Sequence, residues 1–110
     1  VAASYLRAHG YEIETTNWRN KNYELDLVAR KGGCLVFVEV KCSRSELFGP
    51  PEARVTKTKR RRLAMAASEY LSTLETPPDE VRFDVISILW LPGKSPQITH
   101  FEGAFFLDDD

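Results

Sequence analysis

Residues 23–30, YELDLVAR, alternate apolar and polar positions with a period of two, the signature of a half-buried strand. The alternation predicts Leu25, Leu27 and Ala29 on one face and Glu24, Asp26 and Val28 on the other. After the turn Lys31-Gly32-Gly33 comes a second strand, 34–41, with the apolar run Leu35–Val38, so the two segments predict a hairpin. Upstream, residues 1–9 repeat Ala2, Leu6, His9 and Val1, Tyr5, Ala8 at helical spacing, and Gly10 predicts the stop. β-branched and aromatic content over 11–18 predicts a strand, and 17–22, NWRNKN, reads as a polar turn.

Downstream, 43–52 carries Gly49-Pro50-Pro51 and predicts a loop. A helix is expected from about 53 or 57 to 74, with Thr56 as N-cap and Leu63, Ala67, Tyr70, Leu71 and Leu74 along its buried stripe. Thr76-Pro77-Pro78 breaks it. Residues 81–91 predict a strand whose later part is apolar on both faces, so cover is expected on both sides of the sheet. Pro92-Gly93-Lys94 turns the chain into a short final strand at 97–101. The order αβββαβ(β) defines an α/β fold, a mixed sheet flanked by helices.

A chain of 110 residues, 43 % hydrophobic and 28 % charged, suits a single domain over 1–110. No apolar run approaches the roughly 20 residues that span a bilayer, so no membrane partner is expected. The first residues lack a secretory pattern, and the helical pattern already under way at Val1 implies residues upstream of it. Cys34 and Cys42 flank one predicted strand, roughly 26 Å apart at ~3.3 Å per residue, too far for a disulfide. They read as reduced thiols of a cytoplasmic protein. His9 and His100 are isolated and read as structural. The net charge of −1 conceals an uneven distribution. Residues 54–62, RVTKTKRRR, hold six of the fifteen Lys and Arg residues, and Asp108–Asp110 form a solvated acidic tail.

Charge within the hairpin raises the chemical question. Leu35, Phe37, Glu39 and Lys41 share a face, and pairing Arg30 with Leu35 sets Asp26 opposite Glu39 and Glu24 opposite Lys41. Two carboxylates ~4.5–5.5 Å apart across a ladder repel one another. A hard divalent cation, Mg²⁺ or Mn²⁺, reverses that sign, because it is content with one or two carboxylates plus water and phosphate oxygens. Lys41 could then orient or deprotonate a water, as metal-assisted phosphodiester hydrolysis requires. The pattern equally fits a plain ion pair between Glu24 and Lys41. At the helix start, positive charge opposes the macrodipole, so a polyanion is the natural partner for Lys57, Lys59, Arg60 and Arg61. With no aromatic residue interleaved, contact with the nucleic-acid backbone is expected rather than base reading.

The segments YLRAHGYEIETTNWR, ELDLVAR, LVFVEVK, FGPPEARVTKTKRRRL and RFDV resemble, in order and spacing, the YraN-type family of uncharacterised bacterial proteins, over about residues 5 to 87. That family is similar to restriction-endonuclease-like nucleases and Holliday junction resolvases. The resemblance implies a restriction-endonuclease-like αβββαβ core and a D…E-x-K metal centre, with Asp26, Glu39 and the Val40 carbonyl as ligands. Glu24 would stand in the outer shell or on a second metal, and Lys41 on the attacking water. It further implies a Mg²⁺-dependent endonuclease acting on DNA, branched or junction DNA included, which leaves a 5′-phosphate, and it is compatible with a homodimer. Arg82 and Asp84 match RFDV and read as a structural ion pair. Two departures stand out. Tyr23 replaces the glycine usual before E-[IL]-D, and the acid that relatives carry in the first helix would precede Val1. The alternatives are a nucleic-acid-binding module that keeps the nuclease fold without hydrolysis, and a scaffold that docks an acidic protein on the basic run.

Overall fold

The computed structural model describes residues 1–44 and 56–105. Most of the expected loop at 43–52, Arg54 of the basic run and the acidic tail lie outside them. Helix α1 spans Ala2–Ala8, and strands β1 (Glu12–Arg19), β2 (Glu24–Lys31) and β3 (Cys34–Ser43) follow. Then come helix α2 (Lys57–Leu71), β4 (Glu80–Leu89) and β5 (Gln97–Phe105). The strands form one sheet in the order β1-β2-β3-β4-β5, with β3 and β4 parallel and every other neighbouring pair antiparallel. The molecule is therefore α/β with a mixed sheet and two helices, as the pattern of elements predicts. Among the described residues no helix is long and apolar enough to cross a membrane.

Both faces of the sheet are covered. On one side Leu63, Ala66, Ala67 and Tyr70 of α2 pack with Leu35, Phe37, Phe83, Val85 and Phe105. On the other, Ala2 and Leu6 of α1 pack with Val36, Val38, Ile86 and Ile88. This two-sided burial explains the unbroken apolar stretch in β4. Strand β5 extends to Phe105, beyond the expected 101, because that residue pairs with Phe83 and stacks on its ring at a centroid distance of 5.0 Å. Thr56 caps α2 as expected, its hydroxyl accepting the Lys59 amide at 3.2 Å. Both cysteines are free.

The hairpin has the expected register, Arg30 against Leu35, and its turn places Gly32 at φ 59°, where a residue without Cβ is needed. One expectation fails. Leu25 lies with Val28 on the α2 side, whereas Leu27 and Ala29 lie on the α1 side, so the alternation slips between 25 and 27. The cause is across the ladder. Asn17 of β1 stands at φ 52° between the pairs Thr16–Leu27 and Trp18–Leu25, hence opposite Asp26. Asparagine tolerates that left-handed conformation better than most residues, and both strands change face there.

A bulge between Ile13 and Thr15 adds a second irregularity and accompanies Glu14 turned towards α2. Its carboxylate accepts the Tyr70 hydroxyl and pairs with Arg30 at 2.7 Å. Burial first, then Glu14, push the Tyr70 phenol above its ordinary value of 10.0. A phenol that stays protonated when folded but ionises when unfolded supports stability below about pH 10 and loses that support as pH rises further. Denaturation of the wild type is therefore expected to become easier above pH 10, with a shallower slope in Tyr70→Phe. Urea unfolding at pH 8 and at pH 11 measures the difference.

The RFDV segment carries a buried polar network on the α1 side. Asp84 is fully buried, and each of its oxygens accepts two hydrogen bonds. Arg82 donates through Nε and a terminal nitrogen, both at 2.8 Å, His100 Nε2 lies at 2.6 Å and the Gly103 amide at 3.0 Å. Arg82 also reaches the Tyr11 hydroxyl at 2.6 Å. Gly103, at φ 58°, allows the register shift in β5 that aims its amide at Asp84. The pair is structural, as expected, but His100 is one of its partners rather than isolated. His9 stays local, with Nδ1 2.8 Å from the Tyr5 carbonyl.

Candidate functional site

Strand β4 runs parallel to β3 and begins beside its start, with Glu80 paired to Cys34, so the connection through α2 must return the chain along the sheet. The start of α2 consequently lies over the C-terminal end of β3. That is the end of a strand where α/β folds favour ligand sites. There a cleft of about 530 Å³ opens, walled by Tyr23, Glu24 and Asp26 of the β2 end, Glu39 to Cys42 of β3, and Thr56, Thr58, Lys59, Arg62 and Leu63 of α2.

The ladder between β2 and β3 runs from Lys31–Cys34 to Leu27–Val38. Beyond it the expected backbone pairing of Asp26 with Glu39 gives way to a side-chain bond, the Val40 amide donating to Asp26 Oδ2 at 2.9 Å. Asp26 stands opposite Asn17 of β1, where the face changes. Its carboxylate takes the place of a backbone acceptor while still facing the cleft.

Glu39 is buried at 7 % exposure. An isolated carboxylate there would cost several kcal/mol in lost hydration. Two ammonium groups answer it, Lys59 at 2.7 Å and Lys41 at 3.6 Å, both on Oε1. The two lysines respond in opposite directions. The hydrogen bond to Glu39 holds Lys59 protonated above the ordinary range. Burial, and then the neighbouring Lys59, make Lys41 give up its proton more readily than a free lysine.

Glu24 behaves differently from expectation. It pairs with Arg19 at 3.2 Å, both side chains largely exposed, which removes the proposed Glu24–Lys41 ion pair. It remains on the cleft rim. Of the four basic residues assigned to a polyanion, only Lys59 lines the cleft, and Lys57, Arg60 and Arg61 do not. Arg62, one turn after Lys59, lines it instead. The signal was present in the sequence, because positions three apart share a helix face. Tyr23, the departure from the usual glycine, is half-buried and forms part of the wall.

The carboxylates lining the cleft, Glu24 and Asp26 of β2 and Glu39 of β3, are hard oxygen donors, which suits Mg²⁺ or Mn²⁺ in kind. Among the described residues no three His, Cys, Asp or Glu side chains gather into a closed cage. Any ion held here would take water or substrate oxygens for its remaining positions.

Fold and cleft define a class: a mixed five-stranded α/β domain with an acidic pair at its strand ends beneath a basic helix start. The chain belongs to the uncharacterised protein family UPF0102, whose family model matches residues 1–88. It is similar to UPF0102 proteins of Nocardia farcinica, 44 % identical over 105 residues covering 96 % of this chain and 83 % of that one, and of Geobacter metallireducens, 43 % identical over 107 residues covering 97 % and 87 %. A third relative, from Symbiobacterium thermophilum, is 48 % identical over 88 residues, 80 % of this chain and 75 % of its own.

Proposed function

We propose that this protein is a metal-dependent phosphodiester hydrolase acting on DNA, with a restriction-endonuclease-like arrangement of its core. The observation that carries the reading is the convergence of Asp26, Glu39 and Lys41 in one cleft, the two acids coming from neighbouring strands. Asp26 and Glu39, with the Val40 carbonyl, would hold Mg²⁺ or Mn²⁺, and Glu24 would stand outside them. Such an ion, when bound, supplies charge stabilisation at phosphorus and a more acidic water. Lys41, an ammonium beside Glu39 here, holds the attacking water in line, or takes its proton only after releasing its own. Lys59 and Arg62 place positive charge against the phosphate oxygens. Arg62 suits that task through its planar fork of donors.

The test is a cleavage panel with Mg²⁺ and with Mn²⁺ across junction, flap, single-stranded and duplex DNA. Cleavage of at least one substrate is expected, slowed about 10²–10⁴-fold by Lys41→Ala, the range for loss of a positioned acid–base group. Lys41→Ala cleaving at the wild-type rate would remove that residue from the chemistry, and no cleavage of any substrate would sink the reading.

A second reading rests on the neutralisation of Glu39 by two lysines. It makes the cleft a nucleic-acid-binding module without hydrolysis. Such a module takes up DNA without divalent ions and is indifferent to Asp26→Asn, and calorimetry with Mn²⁺ separates it from the first.

A further inference from the structure

We propose that the turn between β1 and β2, together with Arg62, forms a second anion subsite that takes a neighbouring phosphodiester of the same DNA strand; this rests on the nuclease reading above. A shallower depression of about 240 Å³ lies over residues 19–24 and Arg62. It shares Tyr23, Glu24 and Arg62 with the main cleft, so the two form one continuous path along which a strand can run.

Its charge suits an anion. Three cations, Arg19, Lys21 and Arg62, stand against one carboxylate, Glu24. Arg19 answers Glu24 at 3.2 Å. Among the described residues none pairs with Lys21 or Arg62. A cation left unpaired beside a groove is available to a phosphate at little cost in broken contacts.

The turn is also held in shape beforehand. Asn20 Oδ1 accepts the amides of Asn22 at 3.0 Å and Tyr23 at 2.8 Å, and the Asn20 amide donates to the Tyr23 carbonyl at 2.9 Å. Lys21 is therefore presented from a fixed backbone, which lowers the ordering cost of binding. Strand β2 continues directly from this turn to Asp26, so a strand seated here has its next phosphate led towards the acidic pair.

The experiment titrates the full chain into a labelled DNA duplex of arbitrary sequence, by anisotropy over a range of KCl with no divalent ion added. It compares the wild type with Lys21→Gln, Arg62→Gln and the double variant. Lys31→Gln, at the opposite end of the hairpin, serves as a charge-matched control. The double variant is expected to bind about 10-fold more weakly and to lose about 2 from the slope of log K against log salt, roughly one per phosphate contact. Each single variant loses about half of that, and Lys31→Gln keeps the wild-type slope. Mn²⁺ uptake by calorimetry is expected to be unchanged in Lys21→Gln. A Lys21→Gln variant that binds DNA with wild-type affinity and slope overturns the subsite and leaves the nuclease reading standing. A loss in Lys31→Gln as large as in Lys21→Gln overturns it too, because the effect would then be one of net charge. A wild type that binds neither DNA nor Mn²⁺ overturns the nuclease reading itself.

Discussion

Asp26→Asn is expected to abolish Mn²⁺ uptake by calorimetry and to lower DNA cleavage about 10³-fold, equivalent to about 4 kcal/mol of barrier. Asparagine has the same shape, and its side-chain oxygen can still accept the Val40 amide bond that Asp26 Oδ2 now makes at 2.9 Å. The fold should therefore survive, with a circular dichroism spectrum like that of the wild type. Charge at the cleft is what changes. Glu39 would then face Lys41 and Lys59 as the sole carboxylate of the pair, an arrangement better suited to ammonium than to a divalent ion. Asp26→Ala is the contrasting variant, since it removes the acceptor as well as the charge. It should lose stability too, by about 1–3 kcal/mol for an orphaned amide. Full cleavage by a well-folded Asp26→Asn protein would dispose of the metal reading.

The second large effect concerns stability alone. Asp84→Ala should cost about 3–5 kcal/mol, the usual penalty for breaking a buried ion pair from one side. For a domain of this size that is roughly 15–25 °C in Tm. The reason is the completeness of the network. Four hydrogen bonds converge on a carboxylate with no exposed surface, and its removal strands His100 and the Gly103 amide and leaves the Arg82 guanidinium without its acid, with Tyr11 still bonded. Arg82→Met should cost less, because Asp84 keeps His100 and Gly103. Thermal and urea unfolding of the two variants give the comparison, and a loss below about 1 kcal/mol in Asp84→Ala would refute the network as the pin between β4 and β5.

Much of this could be read from residue order, for identifiable reasons. The hairpin register follows from a two-residue glycine turn, and the cap of α2 from Thr56, because both are local. The meeting of Asp26, Glu39 and Lys41 followed from strand alternation plus that register, although the bond that fixes Asp26 is a side-chain bond and not a ladder pair. What escaped depends on irregular backbone or on distant partners. The slip between Leu25 and Leu27 comes from Asn17, a residue on another strand whose left-handed conformation leaves no mark on the alternation of β2. The choice of Lys59 and Arg62 over Lys57, Arg60 and Arg61 is a matter of helical phase, set by where Leu63 and Ala67 bury. The engagement of His100 with Asp84 needs a register shift in β5, which Gly103 permits but does not announce.

The amide of Val40 belongs at once to the sheet and to the cleft, since its acceptor is the Asp26 carboxylate. Whatever draws charge away from that oxygen must also loosen one rung at the end of β3. Its solvent exchange and its nitrogen resonance would therefore report an ion placed on Asp26, even where no bond in a substrate is broken.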